Sequence, residues 1–133
     1  MALTQITGEG LQSTLAIGSE GGAVTTSVQQ GLAKAWTNFN GESTPSARDS
    51  FNHSSITDTA TGQYSVSLSN SMNNANYTLA NIAGDNGNDG FYVVQSINTD
   101  TPTTSATPIR TPYADGSLGD PKFVGVIHFG DLA

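Results

Sequence analysis

The densest cluster of potential metal ligands is the stretch GDNGNDG at residues 84–90. Carboxylate and amide oxygens are the ligands that calcium prefers. An EF-hand loop needs oxygen ligands at its first, third and fifth positions and a glutamate at its twelfth. Counted from Asp85, the third position is Gly87 and the twelfth is Ser96, so the EF-hand pattern fails. The segment favours a polar hairpin loop, and calcium binding there is left open.

The two histidines, His53 and His128, are far apart in the sequence, and the chain has no cysteine. Without cysteine there can be no disulfide, thiolate metal site or cysteine nucleophile. His128 lies between Ile127 and Phe129, which favours a packed or hydrogen-bonded imidazole over a metal ligand. Apart from the open question of calcium at residues 84–90, the sequence predicts no metal site, and it predicts no cofactor.

Catalysis finds little support in the residue pattern. Serine, threonine, histidine and carboxylates are all present, but no GxSxG motif occurs. Most of the eleven acidic residues stand beside glycine, asparagine or proline, as in solvated turns. A chain of 133 residues also leaves little room for a deep pocket. We predict that the protein is not an enzyme.

Loop residues are the remaining candidates for contacts with a partner, because loops on a rigid scaffold commonly carry binding residues. Tyr113, in the segment TPYADG, is the best candidate for an exposed aromatic ring. The receptor-contact candidates in the two polar loop regions are Asp85, Asn88, Asp89, Arg110, Tyr113 and Asp115.

The composition indicates a folded chain with a thin core. Only 35% of residues are apolar, whereas 58 of the 133 are serine, threonine, asparagine or glycine. A thin core favours subunits that share apolar surface, because association adds burial.

The net charge is −7 and the chain has four lysines and arginines, which argues against binding to nucleic acid or an anionic membrane. No apolar run in residues 1–30 suits a signal peptide or membrane span, so we expect cytoplasmic synthesis.

Alternating apolar and polar residues predict an all-β fold. We predict strands near 32–39, 47–56, 61–69, 76–83, 90–97 and 122–129, with a short edge strand near Ile109. These six to seven strands fit an antiparallel β-sandwich or barrel-like domain. Several carry large apolar residues suited to a core or to subunit contacts. These assembly and core candidates are Trp36, Phe51, Phe91, Val93, Phe123, Ile127 and Phe129.

Residues 1–31 differ from the remainder of the chain. Five glycines within residues 8–22 disfavour a helix, and the apolar residues show no regular period. We predict an extended N-terminal arm over residues 1–31, which serves anchoring or assembly, followed by the β domain over residues 32–133.

The stretch from Lys34 onward resembles the β-rich C-terminal domain of tailed-bacteriophage tail fibre proteins. The matching text is KAWTNFNG at 34–41, Arg48, SFN at 50–52, SSITD at 54–58, TGQYSVSL at 61–68, ANYTL at 75–79 and GDLA at 130–133. The opening MALTQIT also looks like the start of small fibre or tail proteins.

This resemblance implies a virion structural protein, a homotrimer whose β domain contributes to attachment to a host-surface glycan or protein. Residues 1–31 would then bind other virion proteins. Two alternatives remain open from the sequence. One is a capsid decoration protein or a tail or neck adaptor with a purely architectural role. The other is a carbohydrate-binding module.

Overall fold

The structure, a computed structural model, describes residues 16–18, 25–27, 31–84, 94–96 and 101–133, with the backbone alone for 16–18, 25–27 and 95–96. The chain divides into two compact units, Met1–Leu32 and Ala33–Ala133. In the first unit, β1 (Ala16–Gly18) pairs antiparallel with β2 (Thr25–Ser27). The anchoring role of residues 1–31 stays a prediction, as does their extended form.

The described strands of the second unit form two four-stranded antiparallel sheets. The first sheet has the order β4-β3-β10-β7 and consists of β3 (Ala35–Asn40), β4 (Ser46–Phe51), β7 (Thr78–Gly84) and β10 (Phe123–Phe129). The second has the order β5-β6-β9-β8 and consists of β5 (His53–Ala60), β6 (Gln63–Leu68), β8 (Gln95–Ser96) and β9 (Ala106–Arg110). The predicted all-β, antiparallel sandwich is therefore confirmed.

The core lies between the two sheets because alternate residues of each strand point to one face. The first sheet contributes Phe39, Val124 and Val126, and the second contributes Tyr64, Val66 and Ile109. The rings of Phe39 and Tyr64 meet edge to face, with centroids 5.3 Å apart. A smaller cluster of Ala35, Leu68 and Met72 extends the core.

Two predicted strands differ from the structure. Residues 47–56 were expected to form one strand, but they belong to β4 and β5, which lie in different sheets. The short strand at Ile109 was expected at an edge, but β9 lies between β6 and β8. Pro108 is tolerated there although proline favours edges. Residues 90–93 and 97 of the predicted strand 90–97 lie outside the described residues.

The crossing between the two sheets occurs at Asn52, whose backbone has a positive φ of 53°. Asparagine adopts this left-handed conformation more readily than most residues. Its side-chain amide donates to the carbonyl oxygens of Lys34 and Asn70, and its Oδ1 accepts from the Asn70 backbone at 2.7 Å. The corner thus connects three chain segments through a single side chain.

Replacing Asn52 with alanine should lower the free energy of unfolding by about 2 kcal/mol, because the hydrogen bonds and the conformational tolerance are both lost. Asn52→Gly is the matched control, because glycine also lacks the amide but accepts positive φ. We expect the glycine variant to recover about 1 kcal/mol in urea unfolding. Equal stability of the two variants would show that backbone strain contributes nothing at this corner.

Candidate assembly face and loop end

The face of the first sheet that points away from the core is unusually apolar. The outer face, as we name it, carries Trp36, Phe51, Ile82, Phe123 and Ile127. Ile82 is 72% exposed and Phe51 is 53% exposed, while Trp36 is half-buried. In β10 the alternation places Val124, Val126 and His128 in the core and leaves the intervening residues outside. The strand is therefore apolar on both faces, although the described residues cover only one of them.

A groove of about 360 Å³ crosses the outer face over β3, β10 and β7. Trp36, Ile82 and Ile127 contribute its largest apolar side chains, and Asn38, opposite Gly125, adds an amide. Gly125 lies in the groove, where the Ile82 side chain occupies the space above it: a Cβ on Gly125 would lie 2.8 Å from Ile82 Cγ2. The groove is a shallow, mainly apolar depression in the sheet.

A β-bulge in β4 directs Arg48 onto the outer face. The register between β3 and β4 shifts at Asn38 and Phe39, so Arg48 is the extra residue. Its guanidinium carbon lies 4.6 Å from the centre of the Phe123 ring, and Nη2 donates to the Lys122 carbonyl oxygen at 2.6 Å. The bulge therefore positions a cation over an exposed aromatic ring.

The outward face of the second sheet has the opposite character. Ser55 pairs with Ser67 and Thr57 pairs with Ser65, so this face presents small hydroxyl side chains to water. Val66 and Ile56 occupy the inner side of the same two strands. The outward face of the second sheet is thus polar and suited to water, whereas the outer face of the first sheet is apolar.

One end of the sandwich is closed by three connections, at residues 41–45, 61–62 and 111–122, which we name the loop end. Asp120 joins two of them: its Oδ1 accepts from the Gly62 backbone at 2.6 Å and from the Tyr64 hydroxyl at 2.8 Å. Thr111 Oγ1 donates to the Gly119 carbonyl oxygen at 2.7 Å. Burial and the Asp120 carboxylate raise the pKa of Tyr64, so this phenol stays protonated. The loop end is therefore rigidly hydrogen-bonded to the core.

The tip of the loop end is a tight turn over residues 113–117. Gly116 has a φ of 87°, and the Tyr113 backbone donates to the Ser117 carbonyl oxygen. Asp115 accepts from the Ser117 hydroxyl at 2.6 Å, which lowers the pKa of the carboxyl. The Tyr113 ring packs against Gly119, where a Cβ would lie only 2.5 Å from Cε2. Tyr113 is consequently half-buried, with part of its ring supporting the turn.

The predicted site residues fall into two groups in the structure. Arg110, Tyr113 and Asp115 lie at the loop end, whereas Asp85, Asn88 and Asp89 lie outside the described residues. The described assembly candidates, which are Trp36, Phe51, Phe123, Ile127 and Phe129, are not in the buried core. Phe91 and Val93 lie outside the described residues. The receptor and assembly roles of all these residues stay predictions.

Sequence reasoning missed several residues on which these surfaces depend. Ile82 is the most exposed of the large apolar residues described. The sequence pattern placed Ile82 on one face of its strand, but it did not indicate that the described residues leave this face exposed to solvent. Arg48 was among the residues of the predicted resemblance to fibre domains, but no residue pattern indicated that it lies over Phe123. Nothing in the sequence around Asp120 indicated that its carboxylate accepts hydrogen bonds from Gly62 and Tyr64.

His128 is part of a buried polar network. Its Nε2 lies 2.9 Å from Thr107 Oγ1, which in turn lies 2.6 Å from the Tyr77 hydroxyl. Burial lowers the pKa of His128 to about 4, and burial also lowers the pKa of His53.

Within the described residues, no three His, Asp or Glu side chains cluster as metal ligands would. The described part of the chain also has no helix long and apolar enough to span a membrane.

Comparison with known proteins gives one informative likeness. No protein-family profile and no curated protein matches the chain. A solved structure with a similar fold is the phiAB6 tailspike in complex with three-repeated oligosaccharides of Acinetobacter baumannii surface polysaccharide. The TM-score is 0.52 at 12% identity, over 98% of this chain and 30% of the tailspike chain. The likeness supports a β fold like that of a phage tail protein.

Proposed function

We propose that the protein is a virion component of the tail fibre or tailspike type that contributes to attachment to the host surface. The observation that carries the proposal is the likeness in fold to a phage tailspike over 98% of this chain. In this proposal the protein forms a homotrimer, binds other virion proteins through residues 1–31 and acts by binding, without catalysis. Its location is the phage particle, after synthesis in the host cytoplasm.

The loop end is the proposed attachment surface. Tyr113, Asp115 and Arg110 lie there, and Asp120 holds the supporting loops in place. β7 ends at Gly84 opposite Phe123, where β10 begins, and Gln95 of β8 pairs with Arg110. The connection from β7 to β8, which contains three of the predicted contact residues, therefore starts and ends at the same end of the sandwich.

The chemistry of this end suits a host-surface glycan. Hydroxyl, amide and carboxylate groups on rigid turns can hydrogen-bond to sugar hydroxyls, and a partly exposed tyrosine ring can pack on a sugar face. A protein receptor would use the same exposed groups. The tailspike with the similar fold is described in complex with oligosaccharides of a bacterial surface polysaccharide, which is the class of ligand we propose here.

A binding assay with purified bacterial surface polysaccharides, including that of Acinetobacter baumannii, and with whole cells of the same strains tests the proposal. We expect the full chain to bind a subset of strains. Ala114→Glu, at the exposed tip of the loop end, should weaken binding at least about tenfold. Thr57→Glu, which adds the same charge to the outward face of the second sheet, should leave binding unchanged.

Two outcomes would contradict the proposal. A full chain that binds none of the polysaccharides and none of the cells would argue for the purely architectural role in the virion. Binding that is unchanged in Ala114→Glu would contradict the choice of the loop end as the attachment surface.

A further inference from the structure

We infer that the outer face of the first sheet is an interface with a second copy of this chain. This inference rests on the self-association in the proposed function and assigns it to one surface. Neither the fold comparison nor the sequence motifs identify the face that subunits would share. The evidence is the distribution of apolar side chains, the shape of the groove and the placement of charge.

Exposed apolar residues concentrate on this face. Among the described residues, six large apolar side chains are exposed, and four of them, Phe51, Ile82, Phe123 and Ile127, lie on the outer face. Isolated apolar side chains are normal on a monomer, but a contiguous patch indicates a surface that is covered in the working state. The hydroxyl-lined face of the second sheet shows that this protein can cover a sheet with polar residues.

The groove favours an apolar occupant. Trp36, Ile82 and Ile127 line the groove, and Gly125 has no side chain of its own, so Ile82 lies over its backbone. Sugar rings need several convergent polar groups, and here the Asn38 amide lies beside a mainly apolar surface. A second outer face supplies side chains of the required kind, including another Ile82 and another Trp36.

Charge on the outer face also favours a second copy. Each chain carries a net charge of −7, so two copies repel each other unless they meet where the charge is balanced. Arg48 and Asp49 are neighbours at the bulge, and the register places Asp49 opposite Asn38, whose Oδ1 lies 3.4 Å from Arg48 Nη1. The bulge therefore offers one cation and one anion side by side. In a symmetric assembly, Arg48 of one copy can approach Asp49 of the next.

The test is the solution mass of the full chain by light scattering and sedimentation over a range of micromolar concentrations. We expect the unmodified chain to form an oligomer. Ile82→Glu should shift it to monomer, or raise the dissociation constant at least about tenfold, because the charge would be buried at the interface. Ile127→Glu should act in the same way. Thr57→Glu, with the same added charge on the opposite sheet, should leave the mass unchanged.

Ile82 is so exposed that its replacement should leave the fold intact, which the circular dichroism spectrum and urea midpoint of each variant will check. A monomeric unmodified chain would overturn both this inference and the homotrimer in the proposed function. An oligomer that resists both Ile82→Glu and Ile127→Glu would overturn the choice of face alone. A full chain that assembles through this face but binds no glycan would contradict the proposed attachment function and would leave the proposed interface standing.

Discussion

Asp120→Ala will lower the free energy of unfolding by about 3 kcal/mol, because the carboxylate accepts from two donors at the loop end and hydrogen bonds to charged groups contribute about 1.5–3 kcal/mol each. Removing it takes the carboxylate partner from the Gly62 amide and from the Tyr64 hydroxyl, which keeps the Gly41 carbonyl oxygen at 3.1 Å and a hydrogen bond with Thr111. Urea unfolding at neutral pH measures the loss.

The matched control is Asp115→Ala, the same substitution at the exposed tip of the loop. Asp115 contacts only Ser117 among the hydrogen bonds described, so its replacement should cost less than about 1 kcal/mol. A double-mutant cycle between Asp120→Ala and Tyr64→Phe should give a coupling of about 1 kcal/mol or more. Equal losses in Asp120→Ala and Asp115→Ala would contradict the structural role of Asp120.

Acid will destabilise the fold through His128 well before most carboxylates are protonated. The folded state holds the pKa of His128 at about 4, below the value near 6.5 of an unfolded histidine, so the unfolded chain binds the proton first. Stability from this group is complete above pH 6.5 and is lost as the pH falls toward 4. A shift of this size corresponds to about 2 kcal/mol of lost stability between pH 7 and pH 5.

His128→Gln tests this prediction, because glutamine is uncharged throughout and can still hydrogen-bond to Thr107. We expect its free energy of unfolding to change much less between pH 7 and pH 5 than that of the unmodified chain. His53 faces the same buried region, and burial lowers its pKa as well, so a smaller slope should remain. A slope as steep in His128→Gln as in the unmodified chain would show that other groups control acid stability.

Several residues on which the predicted resemblance to fibre domains rests have physical roles in this structure. In the text KAWTNFNG, Phe39 packs in the core while Trp36 points to the outer face. In SFN, Asn52 forms the corner that moves the chain between sheets. Arg48 covers Phe123 from the bulge. The predicted resemblance therefore rests on residues that shape the sandwich and its outer face, and few of these residues lie at the loop end.

The candidate surfaces could be predicted only in part. The polar loop with Tyr113 and Asp115 was visible from composition, because turn residues mark the ends of strands. That the Tyr113 ring supports its own turn against Gly119 was not visible, since it depends on two positions brought together by a bridge between Pro112 and Leu118. Likewise, the sequence predicted that Asn52 lies in the middle of one strand. The alternation of side chains along a strand does not indicate to which sheet each half of the strand belongs.

The sequence alone determined the fold class and most strand positions of this protein. A period of two along 61–69 and apolar runs near 122–129 depend on local backbone geometry, which the residue types control directly. Tertiary structure decided which apolar face is covered. β10 is apolar on both sides, and only the pairing of β3, β10 and β7 over the second sheet places Val126 inside and Ile127 outside. The sequence pattern shows that both faces of a strand are apolar. Which of the two faces is buried depends on the sheet that packs against it, and that is decided only by the tertiary structure.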